Sequence, residues 1–96
     1  MTKADIVAKI SEKLGMEKGD VQATVETFMA EVKTSLEGGD NVYLRGFGSF
    51  IIKTRAEKTG RNISKNTTVI IPAHNIPSFK PAKIFVEEVK NSVPLA

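Results

Sequence analysis

The apolar residues of the first third of the chain repeat at helical spacing. Ile6, Val7, Ile10 and Leu14 form one stripe, and Thr2 followed by Asp5 three positions later has the form of a capping box, with Asp in place of the usual Glu. Gly15 stands where that helix is expected to close. After a junction around residues 16 to 20, Val21, Val25, Phe28, Met29, Val32 and Leu36 make a second stripe opposite Gln22, Glu26, Lys33 and Glu37, and Gly38-Gly39 ends it. Two amphipathic helices so briefly connected predict a helical hairpin. From Asp40 the period falls to two. Val42 and Leu44 alternate with Tyr43 and Arg45, Gly46-Phe47-Gly48 marks a turn, and Ser49 to Lys53 reads as a second strand. Thr67 to Ile71 is β-branched throughout and predicts a third strand. Pro72 and Pro77 place its end at an edge or a bend, and Pro81 opens a last helix in which Ile84, Phe85, Val89 and Val93 face inward, stopped by Pro94. The order is helix, helix, three strands, helix, an α+β pattern: a helical base, a three-stranded antiparallel sheet and a short C-terminal helix.

One stretch does not fit a core. Written as a strand, residues 53 to 63 place Lys53, Arg55, Glu57, Thr59, Arg61 and Ile63 on one face and Thr54, Ala56, Lys58, Gly60 and Asn62 on the other. Neither face can be buried, because an unpaired buried charge costs several kcal/mol. The return through Ser64 to Thr68 is no more apolar, and the chain is expected to rejoin the sheet only at Val69 to Ile71. Residues 55 to 68 therefore predict a two-stranded ribbon in solvent, roughly 20 Å or more long at ~3.4 Å per residue. Asn66 is the residue best suited to a left-handed turn at its tip. The expected division is a single domain, 1 to 96, with a body (1 to 52), an arm (53 to 72) and a strand end with the last helix (73 to 96).

Charge sharpens this picture. Residues 53 to 83 hold seven of the fourteen cationic side chains, Lys53, Arg55, Lys58, Arg61, Lys65, Lys80 and Lys83, against one acid, Glu57. Residues 1 to 52 sum to 6 minus 8, or -2, and residues 84 to 96 to 1 minus 2, or -1, so the net +3 conceals a local +6. Such a field attracts polyanions. By composition alone the run fits a solvated hairpin surface as well as a nucleic-acid site. If the ligand is a duplex, each Lys or Arg reaching a phosphate releases a counterion, and Arg55 and Arg61 suit a minor groove, where the potential is most negative. Ile63, a bare aliphatic at the apex, reads either as a loop residue tucked on its neighbours or as a wedge between base pairs. Lys80 and Lys83 near the last helix, and Lys3 near the first, are candidates for a second contact zone. Lys80 and Lys83 have a bland alternative as solubilising charges, but cations are mildly disfavoured at a helix start.

The core is thin: the chain has no Trp, one Tyr and no Cys. Without disulfides or a metal-ligand cluster, sharing a core with a second copy is the expected solution, so that folding and association are one event. The start of the chain lacks the apolar block of a signal peptide and no apolar run reaches spanning length, which predicts a soluble intracellular protein without membrane contact. No cofactor, metal site or small-molecule substrate is expected. His74 has no second His or Cys to share a metal with and reads as a strand-end surface residue, and Ser49 and Ser64 lack a base at diagnostic spacing. Gly46-x-Gly48 lacks the third glycine of a dinucleotide fingerprint and opens a strand, not a helix. Phe47, Phe50 and Phe79 read as core, not as base-stacking platforms.

In combination, Gly46-Phe47-Gly48-Ser49-Phe50, then Lys53, Arg55, Lys58 and Gly60-Arg61-Asn62, then Ile71-Pro72-Ala73 and Pro77-Ser78-Phe79-Lys80-Pro81, resemble the bacterial HU and integration host factor family along essentially the whole chain. The resemblance implies an intertwined dimer whose two β-arms enter the minor groove of DNA and bend it, in the bacterial cytoplasm at the nucleoid. Phe47, Phe50 and Phe79 match its shared dimer core, and Lys53, Arg55, Lys58 and Arg61 match arm positions that meet DNA; Asn62, Ile63 and Lys65 complete the apical set. The family usually has proline after Gly-Arg-Asn, whereas this chain has Ile63, and Lys65-Asn66 replaces the usual Thr-Gly turn. The expected function is a non-enzymatic architectural protein that bends duplex DNA with little sequence preference. A sequence-selective bender like integration host factor, or a dimeric scaffold docking an acidic protein, are the rival readings.

Overall fold

The computed structural model describes residues 1–62, with the backbone alone for Asn62, and residues 67–95. Helix α1 runs Lys3–Leu14. Its capping box is complete: the Thr2 hydroxyl accepts from the Asp5 amide at 3.2 Å, and the Thr2 amide donates to Asp5 Oδ2 at 2.9 Å. Gly15 ends it at φ 62°, a left-handed conformation that a β-carbon would strain. The Ser11 hydroxyl then donates to the Met16 carbonyl at 2.6 Å and ties the short connection to the helix it leaves. Helix α2, Lys18–Glu37, starts three residues before the first apolar position of its stripe, on Glu17, without a side-chain cap. It packs on α1, and the two buried apolar side chains of the described residues, Val7 and Val21, lie one on each helix.

The body sheet has strand order β1 (Val42–Leu44), β2 (Gly48–Arg55) and β5 (His74–Pro81), all antiparallel. Between β1 and β2 the Phe47 amide donates to the Leu44 carbonyl at 2.9 Å, with Gly46 at φ 83°. The arm consists of β3 (Lys58–Asn62) paired with β4 (Thr67–Ile71). Helix α3, Lys83–Ser92, follows β5 directly, and the Ala82 amide donates to the Phe47 carbonyl at 2.9 Å.

Two sequence expectations need correction. Thr67–Ile71 does not rejoin the body as its third strand: it pairs with β3, and Val69, Ile70 and Ile71 stay exposed on the arm, so the ribbon extends through Ile71. The third strand of the body is His74–Pro81, whose prolines concealed it, and Pro81 ends that strand while the helix begins at Lys83. Proline is tolerated there for a geometric reason. The Ile52 amide donates to Asn41 Oδ1 at 2.9 Å, on the β1 side, so Ile52 and its partner Pro77 form a pair without hydrogen bonds between them. The missing N–H of Pro77 thus lies on the outer edge of the sheet, where no ladder bond is lost.

Register divides the body sheet into two faces. Cross-strand partners share a face, so Val42, Phe50 and Phe79 lie together, with Leu44 beside Gly48 and Pro81. Phe79 meets Phe47 and Phe50 at centroid distances of 5.1 and 5.0 Å, and Phe47 meets Phe85 of α3 at 5.7 Å. These aromatics form a cluster, yet Phe79 keeps 38% of its surface exposed, and Phe28, Met29, Phe47, Ile84 and Val89 are exposed as well. A radius of gyration of 18.9 Å, where a compact chain of 96 residues has about 12–13 Å, reflects the arm that extends beyond this body.

Candidate nucleic-acid interface

The face of the body sheet opposite the aromatic cluster gathers the cations. Lys53 pairs with Ile76, Arg55 with His74 and Lys80 with Ser49, and alternation along each strand puts all of them on this one side together with Tyr43. At its end nearest α3, Tyr43, Arg45, Ser49, Lys80 and Lys83 line part of an open depression. Tyr43 and Arg45 were absent from the sequence-derived set. The signal for them was present, because their alternation with Val42 and Leu44 already assigned them to the side away from the core.

The arm presents cations on both faces. Lys58 lies opposite Ile71 and shares a side with Gly60 and Val69, while Arg61 lies opposite Thr68 and shares a side with Thr59 and Ile70. From Arg55 to Asn62 the ribbon reaches about 24 Å from the sheet at ~3.4 Å per residue, within a molecule whose longest extent is 57 Å. Ile63 and Lys65 lie outside the described residues, as does the turn assigned to Asn66.

The body and arm are one hairpin in constant register. Arg55 pairs with His74 and Lys58 with Ile71, three residues further along one strand and three back along the other, so Ala56 and Glu57 stand opposite Ala73 and Pro72 in two unpaired rungs. Pro72 has no N–H to donate to a ladder. At the root of this break the Thr54 hydroxyl donates to Asn75 Oδ1 at 2.7 Å.

Lys3 is on the helical base, where its ammonium pairs with Glu26 of α2 at 2.9 Å, both side chains about half exposed. Gln22 adds a hydrogen bond to the same carboxylate oxygen at 3.2 Å. These partners hold the Glu26 carboxyl below its ordinary range: the Lys3 hydrogen bond contributes most, then that of Gln22, then the charge of Lys3.

Among the described residues no cluster of His, Cys, Asp or Glu is arranged to hold a metal ion, and no helix is long and apolar enough to cross a membrane. A helical base carrying a small antiparallel sheet, from which a cationic ribbon extends, defines a class of nucleic-acid-binding protein. Residues 1–90 match the family described as bacterial DNA-binding protein, and the chain belongs to that family, the HU and integration host factor group, whose members are DNA-binding proteins and not enzymes. It is 38% identical to the DNA-binding protein HU of Thermus thermophilus over 90 residues, 94% of this chain and 93% of that protein. It is equally similar, 38% over 91 residues, to the integration host factor subunit alpha of Aliivibrio fischeri, covering 95% of this chain and 93% of that protein. Its fold matches HU in an Anabaena HU–DNA cocrystal structure with a TM-score of 0.87 at 32% identity, over 98% of this chain and 100% of that one.

Proposed function

We propose that two copies of this chain form an intertwined dimer that binds duplex DNA with little sequence preference and bends it, the arms lying in the minor groove and the cationic sheet face receiving the flanking phosphates. The observation that carries the reading is the pairing of an open aromatic face with a cationic face on the same three strands. The first asks for a second copy, and the second for a polyanion. Exposure of Phe28, Phe47, Phe79 and Ile84 in the single chain leaves a surface that only association removes from water. Lys53, Arg55, Lys58 and Arg61 then supply contacts along groove and backbone, with Asn62, Ile63 and Lys65 at the apex, Lys80 and Lys83 on the body, and Lys3 on the helical base. Ile63 acts as the wedge: unstacking one step costs a few kcal/mol, which wrapping onto the body offsets. A protein with this ligand works in the bacterial cytoplasm, on the nucleoid.

The decisive experiment is a salt titration of binding to a labelled duplex, with bending read by energy transfer in the same sample. Each phosphate contact contributes about 0.9 to the slope of log affinity against log salt. Arg55→Ala with Arg61→Ala removes four side chains per dimer, so the slope is expected to become shallower by up to about 3.6. An unchanged slope and affinity would transfer the arms to a protein partner. Ile63→Ala is expected to reduce the bend more than the affinity, and an unaltered energy-transfer efficiency would remove the wedge.

A further inference from the structure

His74 occupies the root of the arm, directly across the ladder from Arg55 and on the cationic face with Lys53 and Lys80. It is exposed. Its Nδ1 lies 2.9 Å from the Pro72 carbonyl oxygen. A carbonyl oxygen only accepts, so Nδ1 carries the hydrogen and donates, which fixes the neutral ring as the tautomer whose Nε2 holds a lone pair. Neutral His74 therefore offers a passing phosphate an acceptor, which repels it. On protonation Nε2 becomes a donor, the Nδ1 bond to Pro72 persists, and the ring turns into a held cation.

From this arrangement the geometry points to a proton-gated phosphate contact: His74 is a further DNA-binding residue whose protonation adds one phosphodiester contact at the base of each arm. The inference rests on the DNA-binding reading above. The charged groups around the imidazole come from both strands and from the break between body and arm. Arg55 is its direct partner, Lys53 lies two residues further into β2 opposite Ile76, and Lys80 is six residues along β5. Glu57 stands opposite Pro72 in the unpaired rungs, and Lys58 opens β3 opposite Ile71. Arg55 and Lys53 flank the imidazole on this face, and a phosphate bound among them meets one more positive charge when the ring is protonated, so DNA and protons bind cooperatively: each raises the affinity for the other. The position also matters mechanically, because a contact made beside the two unpaired rungs fixes the angle at which the arm leaves the sheet.

The test is binding of the full-length protein to a labelled mixed-sequence duplex, titrated with salt at about pH 5.5 and about pH 7.2, on either side of the usual histidine titration. The wild type is expected to bind on the order of tenfold more tightly at the lower pH, with a salt slope steeper by about 1.8 for two added contacts per dimer. His74→Gln is expected to bind equally at both pH values, with the shallower slope. His74→Lys is expected to bind tightly at both. Circular dichroism at each pH establishes that the variants are folded, as expected for an exposed position. Wild-type affinity independent of pH, a pH dependence that survives in His74→Gln, or His74→Lys behaving as His74→Gln at pH 7.2 would each overturn the proposal. Loss of all salt-dependent binding at pH 7.2 would instead overturn the DNA-binding reading beneath it.

Discussion

The sheet and the arm share one register but differ in what lies against their faces. In the body, Phe50 opposite Phe79 is half-buried among neighbouring rings, with α2 against the same sheet, so the ladder is a platform for a core. In the arm, Thr59 and its partner Ile70 are both exposed, Ile70 to 63%. Strand-forming sequence is thus common to both, and only the body turns it into burial. A lone two-stranded ribbon is marginal in water, so the arm has little stability of its own. The two unpaired rungs at Ala56-Glu57 and Ala73-Pro72 separate the regions, which permits the arm to adapt without deforming the aromatic face.

The sharpest way to break this contrast is at Phe79. In the single chain this ring is 38% exposed, and truncation of a partly exposed ring would have a modest effect. If a second copy covers it, Phe79→Ala loses about 3–5 kcal/mol, the range for a fully buried aromatic. Denaturation monitored at several protein concentrations measures the loss, and the transition midpoint is expected to rise with concentration in the wild type. A loss below about 1 kcal/mol would mean that no second copy seals the cluster.

Gly48 gives the next largest effect. A β-carbon there would lie 2.6 Å from Phe79 Cζ and 2.7 Å from the Lys80 carbonyl oxygen. The backbone oxygen cannot retreat without moving β5, so Gly48→Ala is expected to lose about 1–3 kcal/mol by overpacking. The same substitution at Gly60 in the arm meets only the Val69 carbonyl at 3.9 Å, ordinary contact, and is expected to leave stability within about 0.5 kcal/mol. Equal losses at the two glycines would erase the distinction between platform and ribbon. Arg55→Ala extends the comparison: stability within about 0.5 kcal/mol of wild type, as expected for an exposed side chain, with a loss of DNA binding.

Much of this division was legible in the sequence, and the illegible parts have identifiable causes. Thr2, Asp5 and Gly15 announce α1 because capping is local chemistry, readable within a few residues. Phe47, Phe50 and Phe79 come together in one aromatic cluster, and the charge of residues 58 to 62 marks a ribbon unable to be buried, whereas Lys53 and Arg55, read as part of that ribbon, belong to β2 of the body. β5 was not legible because Pro72, Pro77 and Pro81 look like interruptions until the sheet edge on which two of them lie is known. Thr67–Ile71 misled in the opposite sense: β-branched residues favour a strand wherever one forms, and the run says nothing about whether a core covers it. His74 joined the cationic face only when register placed it opposite Arg55. The ion pair of Lys3 with Glu26 joins residues 23 apart on different helices, and no local pattern reports it.

That ion pair supports the smallest prediction, and it tests whether the helical base belongs with the arm or with the body. The folded Glu26 carboxyl titrates below its unfolded value, so its contribution to stability is present above the ordinary carboxylate range and is lost as pH falls through the folded value. Wild type and Glu26→Gln are therefore expected to have the same melting temperature in strong acid, with the wild type slightly the more stable near neutrality. The difference is small because both side chains face water. For DNA the sign reverses. Glu26 competes with phosphate for the Lys3 ammonium, so Glu26→Gln is expected to bind a duplex more tightly than the wild type, and Lys3→Ala in the Glu26→Gln background abolishes that gain. If the gain survives the loss of Lys3, it reflects only one fewer negative charge on the body, and Lys3 then serves α1 and α2 alone.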